Sequence, residues 1–341
     1  MSTRPAPAPC QVVIAGASSL RGRELKQVFE DRHFPATDYD LLDESIAAGT
    51  LTEAGGEPAV VRAFDEQSFD GAQFVFFAGN REDARVFAPA AIRAGAKIID
   101  LTGGLRGEPA AIAWIPALDR FFPPANISHP CETRIFLSPP PPVQICATLC
   151  AAFHDFSPRR MTVLFLRPVS ECGQPGVDEL EAQTAQLLSL KPASQDVFGA
   201  QVAFNLLSAY GEQCRPSLQE SRAEIVADTR DFLAGRCAVP AIQLLHAPAF
   251  YGFLFSAFVE FPTAIKVEAL DAALAAAGVQ LVASDDPQPD NVTLAGESKI
   301  QLARIERDAS VENAFWLWGG VDNLRFAVTN AVQVAEALLA S

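Results

Sequence analysis

The chain has 341 residues, 49% of them hydrophobic, and carries a formal net charge of −15 with a pI near 4.7. That is enough apolar material for about two domain cores. So large an acidic excess argues against a nucleic acid or an anionic membrane as partner, since either needs a basic face. The seven cysteines are odd in number and include no CxxC pair, which predicts reduced thiols in a cytoplasmic protein. Cys146, Cys150 and His154 come nearest to metal spacing, but no second cluster completes them and no metal site is expected. The opening MSTRPAPAPCQ lacks an apolar core of signal-peptide type, and no later apolar run is both long and charge-free enough to span a bilayer.

Residues 11 to 15 (QVVIA) form a β-branched run of buried-strand type, followed by the turn GASSLRG at 16 to 22 and an amphipathic stretch to residue 30. Strand, turn and helix in this order make a dinucleotide-binding turn. Gly16 permits the tight turn, Gly22 lets the helix pack closely, and the unpaired N–H groups around Ser18, Ser19, Leu20 and Arg21 face a pyrophosphate. Ser19 stands where the GxxGxxG pattern has its middle glycine, which hinders close approach of the backbone to phosphate. A purely structural βα turn is the plain alternative. The next strand, near residues 39 to 42, ends in Asp43 and Glu44, where an acid can accept hydrogen bonds from a ribose diol and repels a 2′-phosphate. NAD is therefore favoured over NADP, with a solvated loop acid as the alternative. A buried strand FVFF at 74 to 77, a helix to residue 93 and a strand KIID at 97 to 100 lead into the polar loop TGGLR at 102 to 106. That loop lies where an open parallel sheet places ligands, so Arg106 is a candidate anion contact.

The character of the chain changes between residues 135 and 150, IFLSPPPPVQICATLC, read as strand end, crossover and helix start. A crossover between domains is a natural place for chemistry. Here Pro139, Pro140, Pro141 and Pro142 fill it with a stiff lead-in that offers no amide donors. Cys146 and Cys150 follow one turn apart in apolar company, as buried thiols. Further on come a strand at 161 to 166, a long helix from 177 to about 190, the segment 203 to 207, a helical region at 222 to 233 and a strand at 242 to 245. In the strand at 250 to 261, Phe253, Phe255, Phe258 and Phe261 are expected to form a sheet face. A small helix at 270 to 277, strands at 299 to 306 and 315 to 321, and a closing helix at 322 to 339 complete the chain. Leu324, Val328, Ala331, Val332, Ala335 and Leu339 have helical spacing in that last element.

Several segments in this order resemble aspartate-semialdehyde dehydrogenases: VVIAGASSLRGRELKQVFE, APAAIRAGAKIIDLTGGLR, VDELEAQTAQLL, AFNLL, ARIERDASVENAFWLW and VDNLRFAVTNAVQVAEALL. The resemblance covers nearly the whole chain. It implies an α/β protein with an N-terminal Rossmann-type NAD(P)-binding domain at 9–135 plus the final helix at 322–341, and an α+β substrate and dimerisation domain at 136–321. A homodimer is implied, and a further protein partner is left open. The family reaction uses a cysteine thiolate on an acyl phosphate or aldehyde carbonyl, a histidine that moves protons, and a nicotinamide cofactor. Aligned on the motifs, that cysteine falls at Pro140 or Pro141, the histidine at Phe253 and the substrate-carboxylate arginine at His246. A glutamine of the family site falls at Arg167, a glycine at Glu171 and a lysine at Glu224. Arg106 matches the phosphate-contacting arginine and Asn323 a residue near the nicotinamide, while the readers of the 2′-phosphate fall at Glu44 and Ile46. No catalytic residue of the family is expected here, and the chain is similar to the Usg-type branch, which keeps the fold and drops the catalytic set. The alternative is an active NAD(P)-dependent oxidoreductase with a displaced nucleophile such as Cys146 or Cys172.

Overall fold

The structure is a computed structural model that describes residues 10–44, 49–54, 57–123 and 134–340; Ile46 and Cys131 lie outside them. The chain divides into two compact units, one made of Met1–Asp119, Pro123–Pro139 and Ala327–Ser341, the other of Arg120–Phe122 and Pro140–Phe326.

The first unit contains β1 (Cys10–Ala15), α1 (Leu20–Asp31), β2 (Ala36–Asp43), β3 (Leu51–Ala54), β4 (Glu57–Val60), β5 (Arg62–Ala63), β6 (Phe74–Phe77), α2 (Arg81–Arg93), β7 (Lys97–Asp100), β8 (Ala111–Ala113) and β9 (Ile135–Leu137). Seven of the strands form a parallel sheet in the order β5-β2-β1-β6-β7-β9-β8, and β3 pairs with β4 in a separate ribbon. Both faces are covered, which is why β1 and β6 read as continuous apolar runs without alternation. Val12, Ile14, Phe74 and Phe76 face Leu25, Val28 and Phe29 of α1, whereas Val13, Ala15, Val75 and Phe77 face Ala84, Ala88 and Ala91 of α2. Each of the valine, leucine, isoleucine and phenylalanine side chains among them contributes about 1.5–3 kcal/mol by its burial.

The second unit begins with α3 (Pro141–Phe153), followed by β10 (Arg160–Arg167), α4 (Gly173–Leu188), α5 (Leu218–Leu233), β11 (Ala241–His246), β12 (Phe253–Glu260), α6 (Val267–Ala276), β13 (Gln280–Leu281), β14 (Gln301–Leu302), β15 (Glu306–Arg307) and β16 (Ala314–Val321). The closing helix α7 (Asn323–Ala340) starts in this unit. Its buried Val328, Ala331, Val332 and Ala335 lie in the core of the first. Strands run in the order β11-β10-β12-β16-β14-β13, with β15 beside β16; β10 and β11 are parallel, and β12 is antiparallel to both β10 and β16. All thirteen residues of α3 are buried, as its apolar sequence requires, and it packs on α5 and α6.

Five expectations need adjustment. Pro141 and Pro142 are the first two residues of α3, where a missing N–H costs nothing, so only Pro139 and Pro140 lie outside the helix. The helix expected from 177 starts four residues earlier, at Gly173. Residues 203 to 207 form no regular element, and Leu207 makes an isolated bridge to His246. The strand expected over 299 to 306 is two short pieces, β14 and β15. Phe258 does not share a face with Phe253, Phe255 and Phe261: strand residues alternate, and Phe258 packs on Trp316 from the opposite side, ring centroids 5.0 Å apart.

Candidate functional site

In the first unit the strand order reverses between β1 and β6, and the turns that follow these two strands meet there, the place where open α/β sheets take ligands. Gly16 has φ +89°, and a Cβ on it would sit 2.3 Å from the Gly79 nitrogen, so this glycine is demanded by the contact between the two turns. A Cβ on Gly22 would come 2.2 Å from the Gly16 carbonyl oxygen, which explains the second glycine by helix packing. Ser19 caps α1: its Oγ accepts from the Gly22 N–H at 2.9 Å and donates to the Ala78 carbonyl at 2.9 Å. Hence its side chain is held in the protein's own bonding. The Ser18 N–H donates to Asp43 Oδ2 at 2.6 Å, and Asp43 Oδ1 accepts the Glu44 N–H at 2.9 Å. Glu44 is exposed and accepts from Asn80 Nδ2 at 3.1 Å. Of the turn's amides, those of Leu20 and Arg21 have no acceptor among the described residues, leaving the helix N-terminus open to an anion. The Arg21 guanidinium reaches over to the Leu101 carbonyl at 3.1 Å.

The loop after β7 is tied by Asp100, whose carboxylate accepts the Thr102 N–H at 2.7 Å, the Thr102 hydroxyl at 2.6 Å and the Leu105 N–H at 2.9 Å. Three guanidiniums hold its carbonyls: Arg21 as above, Arg81 on Thr102 at 3.1 Å and Arg85 on Gly104 at 3.0 Å. The half-buried Arg106 lies against Gly103, where a Cβ would be 3.0 Å from its Nη2. The result is a cationic rim at the C-terminal end of the sheet, suited to phosphate or carboxylate. Of these arginines, the sequence alone pointed to Arg106 and, through its backbone, Arg21. Arg81 and Arg85 sit in the first turns of a helix whose role only the fold reveals.

In the second unit Arg167, His246 and Phe253 lie on the buried face of the sheet at neighbouring ends of β10, β11 and β12. Arg167 and His246 are register partners, and Phe253 is on the strand that pairs with β10 on its other side. Arg167 is 7% exposed; it donates to Ser221 Oγ at 3.2 Å and weakly to the Glu171 carbonyl at 3.5 Å. His246 is fully buried, its Nδ1 3.2 Å from Tyr210 Oη and its Nε2 without a hydrogen-bond partner among the described residues. Burial pushes its imidazole down to about 4, partly offset by the Val202 backbone and reinforced by the Arg167 charge. Phe253 is buried and packs edge-on against Phe165 at 5.7 Å. Asn323 donates to Glu171 Oε1 at 2.8 Å and Ser170 Oγ at 3.1 Å and accepts the Gly252 N–H at 3.0 Å, so its amide clamps two loops. Glu224 is half-buried on α5. Burial raises the Cys146 thiol, and it raises Cys172 despite the nearby Arg167 guanidinium. Among the described residues no group of three His, Cys, Asp or Glu could hold a metal ion.

The model for the NAD binding domain of semialdehyde dehydrogenases matches residues 11–121, and the model for their dimerisation domain matches residues 149–326. The chain belongs to the semialdehyde dehydrogenase family. A USG-1 protein homolog of Azotobacter vinelandii is 28% identical over 338 residues, 96% of this chain and 97% of that one. An aspartate-semialdehyde dehydrogenase of Shewanella violacea is 27% identical over 332 residues, again 96% and 97%. Among solved structures, aspartate semialdehyde dehydrogenase II of Vibrio cholerae, complexed with ASA, superposes with a TM-score of 0.86 at 26% identity, covering 98% of this chain and 99% of that one. In this semialdehyde dehydrogenase homologue Arg167, His246 and Phe253, the three positions singled out by the sequence resemblance, come together on one sheet face.

Proposed function

We propose that this semialdehyde dehydrogenase homologue is inactive in the family reaction, keeps a dinucleotide site and the homodimer fold in the cytoplasm, and acts by binding a nucleotide or a protein partner. The observation that carries the proposal is the start of α3, where the resemblance implies the attacking thiol: Pro140 is the N-cap, without a side-chain cap bond, and Pro141 and Pro142 follow. Loss of a covalent nucleophile commonly costs several orders of magnitude in kcat. Phe253, at the histidine position implied by the resemblance, is buried and has no proton to move. Asp43 and Glu44 at the end of β2 support NAD over NADP, since both repel a 2′-phosphate. Arg106 and the open amides of Leu20 and Arg21 are the groups that would meet the cofactor's phosphates.

One observation favours a second reading, an oxidoreductase with a displaced nucleophile. The Arg167 guanidinium acts on the Cys172 thiol in the direction that favours the thiolate. Burial is the larger influence, however, and the thiol stays above its ordinary value.

Two measurements on the purified protein test the proposal. Aspartate semialdehyde, phosphate and NADP or NAD are expected to give no turnover above background; turnover at an ordinary enzyme rate overturns it. In thermal melts NAD is expected to stabilise more than NADP, by about 2.7 kcal/mol at one hundred times its Kd. Equal or greater stabilisation by NADP overturns the cofactor assignment, and no shift with either removes the nucleotide site.

A further inference from the structure

Away from the positions discussed so far, two thiols and an imidazole meet at the other end of β11. Cys237 precedes that strand and His246 ends it, so the cluster lies about 16 Å or more from the Arg167 and His246 end of the sheet. Cys150, near the end of α3, is 2% exposed. Cys237 is partly exposed and His154, the cap of α3, is exposed. Cys237 Sγ lies 3.4 Å from His154 Nδ1 and 3.9 Å from the Cys150 carbonyl, while Cys150 Sγ lies 3.9 Å from the Ala238 carbonyl. Each sulfur thus lies against the backbone beside the other cysteine, which makes the two thiols neighbours. One sulfur is reachable from solvent beside a base, and the other waits behind it in the core.

We propose that Cys237, Cys150 and His154 form a hydroperoxide-reactive dithiol site that closes to an intramolecular disulfide. His154 Nδ1 takes the Cys237 proton. The thiolate sulfur attacks the terminal oxygen of a hydroperoxide: an S–O bond forms, the O–O bond breaks, and the departing alkoxide takes the proton from His154, leaving an alcohol and a sulfenic acid on Cys237. The Cys150 sulfur then attacks the Cys237 sulfur; the S–S bond forms, the S–O bond breaks, and hydroxide leaves with the Cys150 proton as water. Two electrons pass from the two thiols to the peroxide, and a dithiol reductant reverses the change.

The electrostatics agree with this division of labour. The neighbouring Cys150 thiol is the largest influence lowering Cys237, to about 6, with His154 and the Arg236 charge adding to it and burial opposing. Cys150 is raised by the neighbouring Cys237, by burial and by Cys146. The attacking and resolving roles therefore fall to different sulfurs, as a sensor pair needs.

The test combines mapping with titration. After brief exposure to hydrogen peroxide and blocking of residual thiols, peptide mass mapping without reductant is expected to show a Cys150–Cys237 disulfide that dithiothreitol removes. In Cys150→Ser, a dimedone adduct is expected on Cys237 instead. Because a lower pKa also weakens nucleophilicity, the rate at neutral pH is a poor discriminator. The pH profile of iodoacetamide labelling is better: its midpoint at Cys237 is expected near 6 in the wild type and higher in the exposed variant His154→Gln. A Cys237 midpoint near the ordinary thiol value of about 8.5, or peroxide oxidation that spares this pair while consuming Cys172, overturns the proposal. The wild-type map and the His154→Gln titration decide it even where Cys150→Ser does not fold.

Discussion

Arg167 and His246 face each other across one rung of the parallel β10–β11 ladder. A cation buried beside an imidazole explains why His246 stays neutral: charging it costs desolvation and, in addition, repulsion from Arg167. The sign of the linkage follows. Above the unfolded pKa of about 6.5 neither state binds the proton. Between that pH and about 4 the unfolded chain binds it and the folded chain does not, so stability falls as pH falls. The full loss is on the order of 3 kcal/mol. Urea unfolding of wild type and His246→Gln across this range is expected to differ by that amount, the variant lacking the acid-side decline; parallel curves would show that His246 is not buried in its neutral form. Here the sequence disclosed the residue types and their alignment. The pairing of 167 with 246 depends on β10 and β11 being neighbours, a non-local contact with α4 and α5 between them in the chain.

At the level of elements, the β1–α1–β2 segment was readable because its signals are local: a β-branched run, a glycine turn, a serine cap and a helical period. What the glycines and the serine do there was less so. Gly16 answers to Gly79, more than sixty residues away, and Ser19 Oγ binds a carbonyl on the β6 turn as well as capping its own helix. Ser19→Ala removes a cap and leaves the Ala78 carbonyl without that donor, and is expected to cost about 1–2 kcal/mol in chemical denaturation. Ser19→Gly keeps the helix start permissive and removes the side chain nearest the open amides, so isothermal titration is expected to show tighter dinucleotide binding than in the wild type at a smaller stability cost. The two-residue strands β14 and β15 and the bridge at Leu207 escaped the sequence for the opposite reason. Such short pairings carry no periodicity of their own and exist because β16 and β11 offer an edge.

For the molecule as a whole, the second sheet has one face built largely of buried side chains, Val163, Phe165, Phe253 and Phe255 among them. The other face carries Leu164, Leu166 and Phe258, all partly exposed, and Trp316 and Trp318, 43% and 37% exposed. A patch of aromatic and aliphatic side chains on a sheet face is the kind of surface that partners bury. The dimerisation-domain match over residues 149–326 takes in the whole of it. Light scattering on the wild type is expected to give a dimer, and Trp316→Lys with Trp318→Lys a monomer or a much weaker dimer; an unchanged dimer would place the interface elsewhere.

Composition, periodicity and motif order were sufficient for the α/β class, the strand, glycine turn and helix at its start, and the family, because each is written in residue identity over short stretches. Which acid meets the glycine turn, which arginines gather at the end of β7, that Arg167 stands beside His246, and that Cys237 meets Cys150 and His154 were decided only by tertiary structure. Those contacts join positions far apart in the chain, and the packing that brings them together leaves no local periodic trace.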